Sequence, residues 1–175
     1  MACQIILIVE ADEQSRTDFI YINSILREYY KIHLRNDIKI SKVFMGGKSH
    51  YNQKKILQEI RKYIKDYSHI GDSHVVYCFD TDRFESKPED KKLLEDEEVF
   101  CNTNEYDFVW FCHDIEEVFW GKSVPKNEKV SKVKKYLTQN QVKSLVLDNF
   151  RSSSMVRRKS NLLSVIERYL ETEVN

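Results

Sequence analysis

Two apolar runs in this chain break off in acid. Gln4-Ile5-Ile6-Leu7-Ile8-Val9 stops at Glu10, and Val75-Val76-Tyr77-Cys78-Phe79 stops at Asp80-Thr81-Asp82. Carboxylates gathered without compensation repel one another, and a divalent cation relieves that repulsion. Such a cation neutralises the charge that builds on a phosphodiester, while a neighbouring acid or base handles the proton. The pattern points to a site for Mg²⁺ or Mn²⁺ in which Asp80 and Asp82, alternate residues leaving a strand end on the same side, chelate the ion and Glu10 serves as proton shuttle or further ligand. An Asp-x-Asp by itself is common at strand ends and turns. Its weight here comes from the matching acid after the first run.

The elements that must position these acids follow from the pattern. Short runs rich in Val and Ile read as strands buried on both faces, the kind found in a parallel sheet. In open α/β sheets, ligands bind beyond the carboxyl ends of the strands. Ser15-x-x-Asp18 has the form of a capping box, and Phe19, Ile22, Leu26 and Tyr29 recur at helical spacing, which predicts a helix near 13–31. Ile38-x-Ile40 and Val43-Phe44 form a second strand ending at Gly46-Gly47. Ile56, Leu57, Ile60, Ile64 and Tyr67 mark a helix near 50–67, and Gly71-Asp72 turns the chain into the third strand. This order implies right-handed crossovers, a largely parallel sheet, and first and third strands close enough to share their terminal acids.

Beyond Asp82 the chain is polar as far as Glu98, with Pro88 placed to start a short helix. Asp107 to Cys112 reads as a fourth strand, Ile115 to Trp120 as a helix stopped by Gly121, and residues 128–138 as a basic helix. The apolar run Leu145-Val146-Leu147 precedes a loop at Arg151-Ser152-Ser153-Ser154. Ser160 then caps a last helix whose Leu162, Leu163, Ile166 and Leu170 face the core.

At 175 residues the chain suits one domain, 1–175, with a core of about 4–120 and a basic C-terminal extension of about 122–175. No stretch approaches the length of a membrane span, and the first apolar run is too short and too acidic at its end for a signal peptide. Cys3, Cys78, Cys101 and Cys112 lack the spacing of a zinc cluster or disulfide framework, so reduced thiols in a cytoplasmic protein are expected. Cys112, at the end of the fourth strand, and His113, which follows it, are expected on opposite faces. The zero net charge hides an asymmetry: residues 122–175 carry 12 Lys/Arg against 5 Asp/Glu, and the first 121 carry 16 against 23. An acidic half and a basic third suit a nucleic-acid enzyme, although solvated helix faces give the same count. Lys48 after the glycine pair and Arg157-Arg158-Lys159 before the last helix are the candidate phosphate contacts. Lys42 stands where a Walker loop needs glycine, so Gly46-Gly47 is read as an ordinary turn.

Ile6-Leu7-Ile8-Val9-Glu10, two helical crossovers, and Tyr77-Cys78-Phe79-Asp80-Thr81-Asp82 resemble the Toprim domain over about residues 4–120. That domain is shared by topoisomerases, bacterial primases, ribosomal-RNA maturases and nucleases of the overcoming-lysogenisation-defect type. Among stand-alone members the chain is most similar to the RloB-like proteins of prokaryotic (phage) defence loci. Cys112-His113-Asp114-Ile115-Glu116 takes the place of their Asn-Pro-Cys-Phe-Glu-like element, and Ala11 stands where the Toprim glycine would. The resemblance implies a Toprim-like, Rossmann-like α/β fold and cleavage of DNA or RNA. It makes Glu10 the general acid/base, Asp80 and Asp82 the Mg²⁺ ligands, and Glu116 a further catalytic residue. The alternative is a weak or inactive binding module that acts with a partner such as an ATPase; a homodimer is the other assembly to test. Glu10-Ala11-Asp12-Glu13 also looks like a receiver-domain pocket, but Asp80 follows seventy residues later, too far for the phosphoacceptor. Haloacid-dehalogenase phosphatases carry their acidic motif on the first strand, and glycosyltransferases need a larger nucleotide-sugar domain.

Overall fold

Strands rich in Val and Ile lie at the centre of the sheet because both of their faces are covered. The structure is a computed structural model that describes residues 2–170. In it β1 (Cys3–Val9) pairs in parallel with β2 (Ile38–Phe44) on one side and β3 (Asp72–Asp80) on the other, and β3 pairs in parallel with β4 (Asp107–Phe111). The strand order is β2-β1-β3-β4. This is an α/β fold of Rossmann-like character, with an all-parallel sheet flanked by helices.

Alternation along β1 divides the core. Ile5, Leu7 and Val9 face α1 (Thr17–Tyr30), α4 (Ile115–Trp120), α5 (Lys129–Thr138) and α6 (Leu162–Leu170). Ile6 and Ile8 face α2 (Lys54–Tyr67) and α3 (Pro88–Thr103). The basic C-terminal third is built into the first of these layers: Val133 and Tyr136 of α5 and Leu162, Leu163 and Ile166 of α6 are buried in it. Its segment Lys159–Asn161 also occupies the open edge of β4. The Cys112 N–H donates to Lys159 O at 2.9 Å, Ser160 Oγ donates to Trp110 O at 2.6 Å, and the Trp110 N–H donates to Asn161 Oδ1 at 2.9 Å. Covering the edge in this way blunts its tendency to pair with another strand. Ser160 Oγ also accepts the N–H of Leu162, the first residue of α6. Residues 171–175 of the C-terminal third lie outside the described residues.

Three elements differ from the sequence reading. The Ser15–Asp18 capping box does not form. Asp12 Oδ1 instead accepts the N–H groups of Gln14 and Ser15 in an Asx turn, and left-handed Arg16 (φ 54°) delays α1 to Thr17. Helix α2 starts at Lys54 because Lys48–His50 winds as a separate 3₁₀ turn. Helix α3 runs 16 residues rather than a few turns at most, with Pro88 in its first turn and Leu94 and Cys101 buried on its inner face. No helix among the described residues is long and apolar enough to cross a membrane.

Candidate active site

The register of β1 and β3 sets Val9 opposite Cys78, so Glu10 and Asp80 leave the sheet at the same edge. They touch: the Asp80 N–H donates to Glu10 Oε1 at 2.7 Å. Asp80 in turn accepts the N–H of Ile115, the first residue of α4, on Oδ1 at 2.9 Å. The β2–α2 turn closes over the same point, with the Gly47 N–H donating to Glu10 O at 2.9 Å. Both Gly46 (φ 66°) and Gly47 (φ 135°) hold backbone conformations that side-chain-bearing residues rarely adopt, which explains the glycine pair without a phosphate loop.

A third acid joins them. Asp18, in the first turn of α1, is buried and accepts the Ala11 N–H on Oδ2 at 2.9 Å. Glu10, Asp18, Asp80, Gly46, Gly47 and Lys129 line one pocket of about 440 Å³, and Lys126 stands at its wall. Glu116 of α4 is 0% exposed; its Oε2 lies 3.0 Å from Lys129 Nζ, and its Oε1 has no hydrogen-bond partner. Glu116, Asp80 and Asp18 therefore all act on the Lys129 ammonium, while Lys48 is the cation nearest in effect to Glu10. Burial raises the pKa of Glu10 well above the ordinary carboxylate range, with the neighbouring Asp18 adding to it. Burial does the same to Asp80, reinforced by Glu10, Asp18 and Glu116. Asp18 and Glu116 are raised by burial too, and Lys129 pulls both back. Lys129 keeps its charge more firmly than a free lysine: burial opposes the charge, but Glu116 and Asp80 outweigh it.

Asp82 is placed differently. It sits in the left-handed region (φ 48°), its N–H donates to His113 O at 2.9 Å, and its Oδ2 lies 2.5 Å from Lys48 Nζ. Because the strand ends at Asp80, the alternation that would send Asp80 and Asp82 the same way does not extend to Asp82. Asp82 lines a neighbouring pocket of about 600 Å³ with Glu85, His113, Glu117 and Arg157. Lys48 spans the two sites, also reaching Asp80 O at 3.5 Å. Glu97 of α3 lies behind Lys48, 0% exposed, with neither carboxylate oxygen hydrogen-bonded. Burial pushes its pKa up to about 8, with Lys48 opposing and Asp82 and Asp96 adding.

Of the basic cluster, Arg157 Nε donates to buried Glu117 Oε1 at 2.5 Å, while Arg158 is exposed in the left-handed region (φ 66°) and Lys159 is half-buried. The sequence expectation for Cys112 and His113 needs correction. They do not point to opposite faces: the Cys112 sulfur, a His113 ring nitrogen and a Glu85 oxygen all lie within 4.8 Å of one another. His113 has φ 61°, which ends the strand alternation one residue earlier than the sequence suggested.

Asp18, Glu97 and Lys129 escaped the sequence reading. Asp18 matched a capping pattern and was assigned to it. Glu97 lay in a carboxylate-rich stretch, although Leu94, Glu97 and Cys101 share one helix face and could have exposed its burial. Lys129 is one lysine among many in its segment and carries no distinguishing signal. Comparison of the chain with protein-family models, with curated proteins and with solved structures gave no match.

Proposed function

We propose that the chain is a Toprim-like, RloB-like phosphodiesterase that cleaves nucleic acid with Mg²⁺ or Mn²⁺ at the β1/β3 edge. One observation carries this reading: the Glu10 carboxylate accepts the Asp80 backbone N–H at 2.7 Å across seventy residues of chain, and both residues line a pocket whose wall also holds Lys126 and Lys129. The donor set suits a hard cation. Glu10 and Asp80 each commit one oxygen to a backbone amide and leave the other, and buried Glu116 Oε1 is unpartnered. Asp82 would complete the set on leaving Lys48. A bound cation would supply charge neutralisation at the scissile phosphate.

The chain's own residues have distinct tasks in this reading. Glu10 holds a proton more readily than an ordinary carboxyl, which suits it to general acid/base transfer. The Ile115 amide fixes the Asp80 carboxylate, and Asp18 fixes the Ala11 amide beside Glu10. Lys126, Lys129 and the following lysines of α5 supply positive charge for backbone phosphates, with Lys48 released from Asp82 as a further contact. The purified protein should nick supercoiled plasmid or degrade RNA with Mn²⁺, and Asp80→Asn should remove at least 99% of that activity (about 100-fold). Activity unchanged in Asp80→Asn would dismiss the reading.

A second reading, a catalytically weak module working beside an ATPase, draws on a specific observation. Lys129 and Lys48 already pair with Glu116 and Asp82, an arrangement that tolerates the absence of an ion. A protein that binds no Mn²⁺ and cleaves neither DNA nor RNA would favour it.

A further inference from the structure

We propose that Glu85, Cys112 and His113 form a second metal site, selective for a borderline ion of the Zn²⁺ or Co²⁺ class, that clamps the turn after β3 to the end of β4. Unlike the all-oxygen pocket at Glu10 and Asp80, this cluster offers one carboxylate, one thiolate and one imidazole, the mixture zinc prefers and magnesium avoids. His113 Nε2 lies 3.1 Å from Glu85 Oε1 and 3.3 Å from Oε2. Two ligands at about 2.0 Å from a tetrahedral ion stand roughly 3.3 Å apart, so these atoms need scarcely move to share one. The Cys112 sulfur completes a set within 4.8 Å.

The surroundings match those of a histidine ligand. His113 Nδ1 lies 2.9 Å from Oε2 of Glu117, which is 1% exposed and is itself held by Arg157. A carboxylate on the far ring nitrogen fixes the tautomer that leaves Nε2 free to ligate. The backbone is shaped around the cluster: His113 takes φ 61°, its N–H donates to Thr81 Oγ1 at 3.0 Å, and its carbonyl accepts the Asp82 N–H. The adjoining pocket of about 600 Å³ gives an ion a way in and leaves room for water as fourth ligand. An ion here would hold Asp82 in place through His113. The inference does not depend on the nuclease reading.

Titration of the reduced full chain with Co²⁺, followed by ultraviolet–visible absorption, tests it. The expected result is a thiolate-to-cobalt charge-transfer band, with the strong visible bands of a four-coordinate site, that corresponds to one thiolate-bound Co²⁺ per chain whatever the acidic pocket takes up. The band is displaced by Zn²⁺ and survives a large excess of Mg²⁺. Cys112→Ser should abolish the band. Glu85→Ala, at an exposed side chain, should raise the Co²⁺ concentration for half-saturation about tenfold or more, and Glu117→Gln about tenfold. Asp80→Asn should leave the band unchanged, which separates this site from the acidic pocket. No charge-transfer band in the wild type, or half-saturation unaltered by Glu85→Ala, would overturn the proposal, and so would a band that persists in Cys112→Ser.

Discussion

The Asp18 carboxylate turns away from its own helix and accepts the Ala11 N–H at 2.9 Å. It thereby adds a third negative charge beside Glu10 and Asp80 instead of capping α1. Asp18→Asn keeps an acceptor for that amide but removes a charge that repels its neighbours. The variant should be as stable as the wild type or more so, and should bind Mn²⁺ more weakly. Asp18→Ala leaves the amide without an acceptor and should cost about 1 kcal/mol in urea denaturation at neutral pH.

Lys129 compensates a glutamate that has no access to water. Lys129→Met strands Glu116 with one oxygen already unpartnered, and breaking a buried pair from one side costs about 3 kcal/mol or more. The double variant Lys129→Met/Glu116→Gln should recover most of that loss, since neither charge remains. Equal destabilisation of the single and double variants by chemical denaturation would contradict this coupling.

Glu97 makes stability fall as pH rises. Its carboxyl protonates near its ordinary value of 4.5 when unfolded and at about 8 when folded. Between those values the folded state holds a proton that the unfolded state has lost, so raising pH favours unfolding, by at most about 1.4 kcal/mol per pH unit. Above pH 8 the effect levels off. Glu97→Gln should match the wild type near pH 5 and exceed it near pH 8. A stability difference that stays constant across this window would exclude an ionising Glu97.

Gly71 is fixed by a close approach rather than by a turn. A Cβ added there would lie 1.9 Å from the Ala2 carbonyl oxygen, well inside van der Waals contact with backbone. Gly71→Ala should therefore displace the start of β1 from α2 and β3, at a cost of about 2 kcal/mol. A variant melting with the wild type would show that the N-terminal segment yields freely.

The sheet and its two central acids were legible because one physical fact signals both. A strand buried on two faces must be apolar throughout, so the first acid marks where it leaves the core, and Glu10 and Asp80 are those acids. Local pattern failed where tertiary contacts decided the outcome. The Ser15–Asp18 pattern satisfies the rules of a cap, but a buried amide at Ala11 competes for the same carboxylate and wins. The alternation used for Asp82 and for the Cys112–His113 pair fails because Asp82 and His113 both take left-handed conformations, which Asp and His tolerate better than most residues but which no periodicity marks. The stretch before Glu98 is polar and promises only a short helix, yet Leu94, Glu97 and Cys101 turn one face of α3 into the core.

The most direct test of the acidic pocket is Mn²⁺ binding measured by isothermal titration calorimetry, in a Glu85→Ala background that weakens the mixed-ligand cluster. One Mn²⁺ should bind per chain. Asp80→Asn and Glu10→Gln should each weaken binding at least tenfold while far-ultraviolet circular dichroism stays unchanged. Unaltered Mn²⁺ affinity in both variants would contradict the account, because the acids that two neighbouring strands bring together would then have no ion to hold.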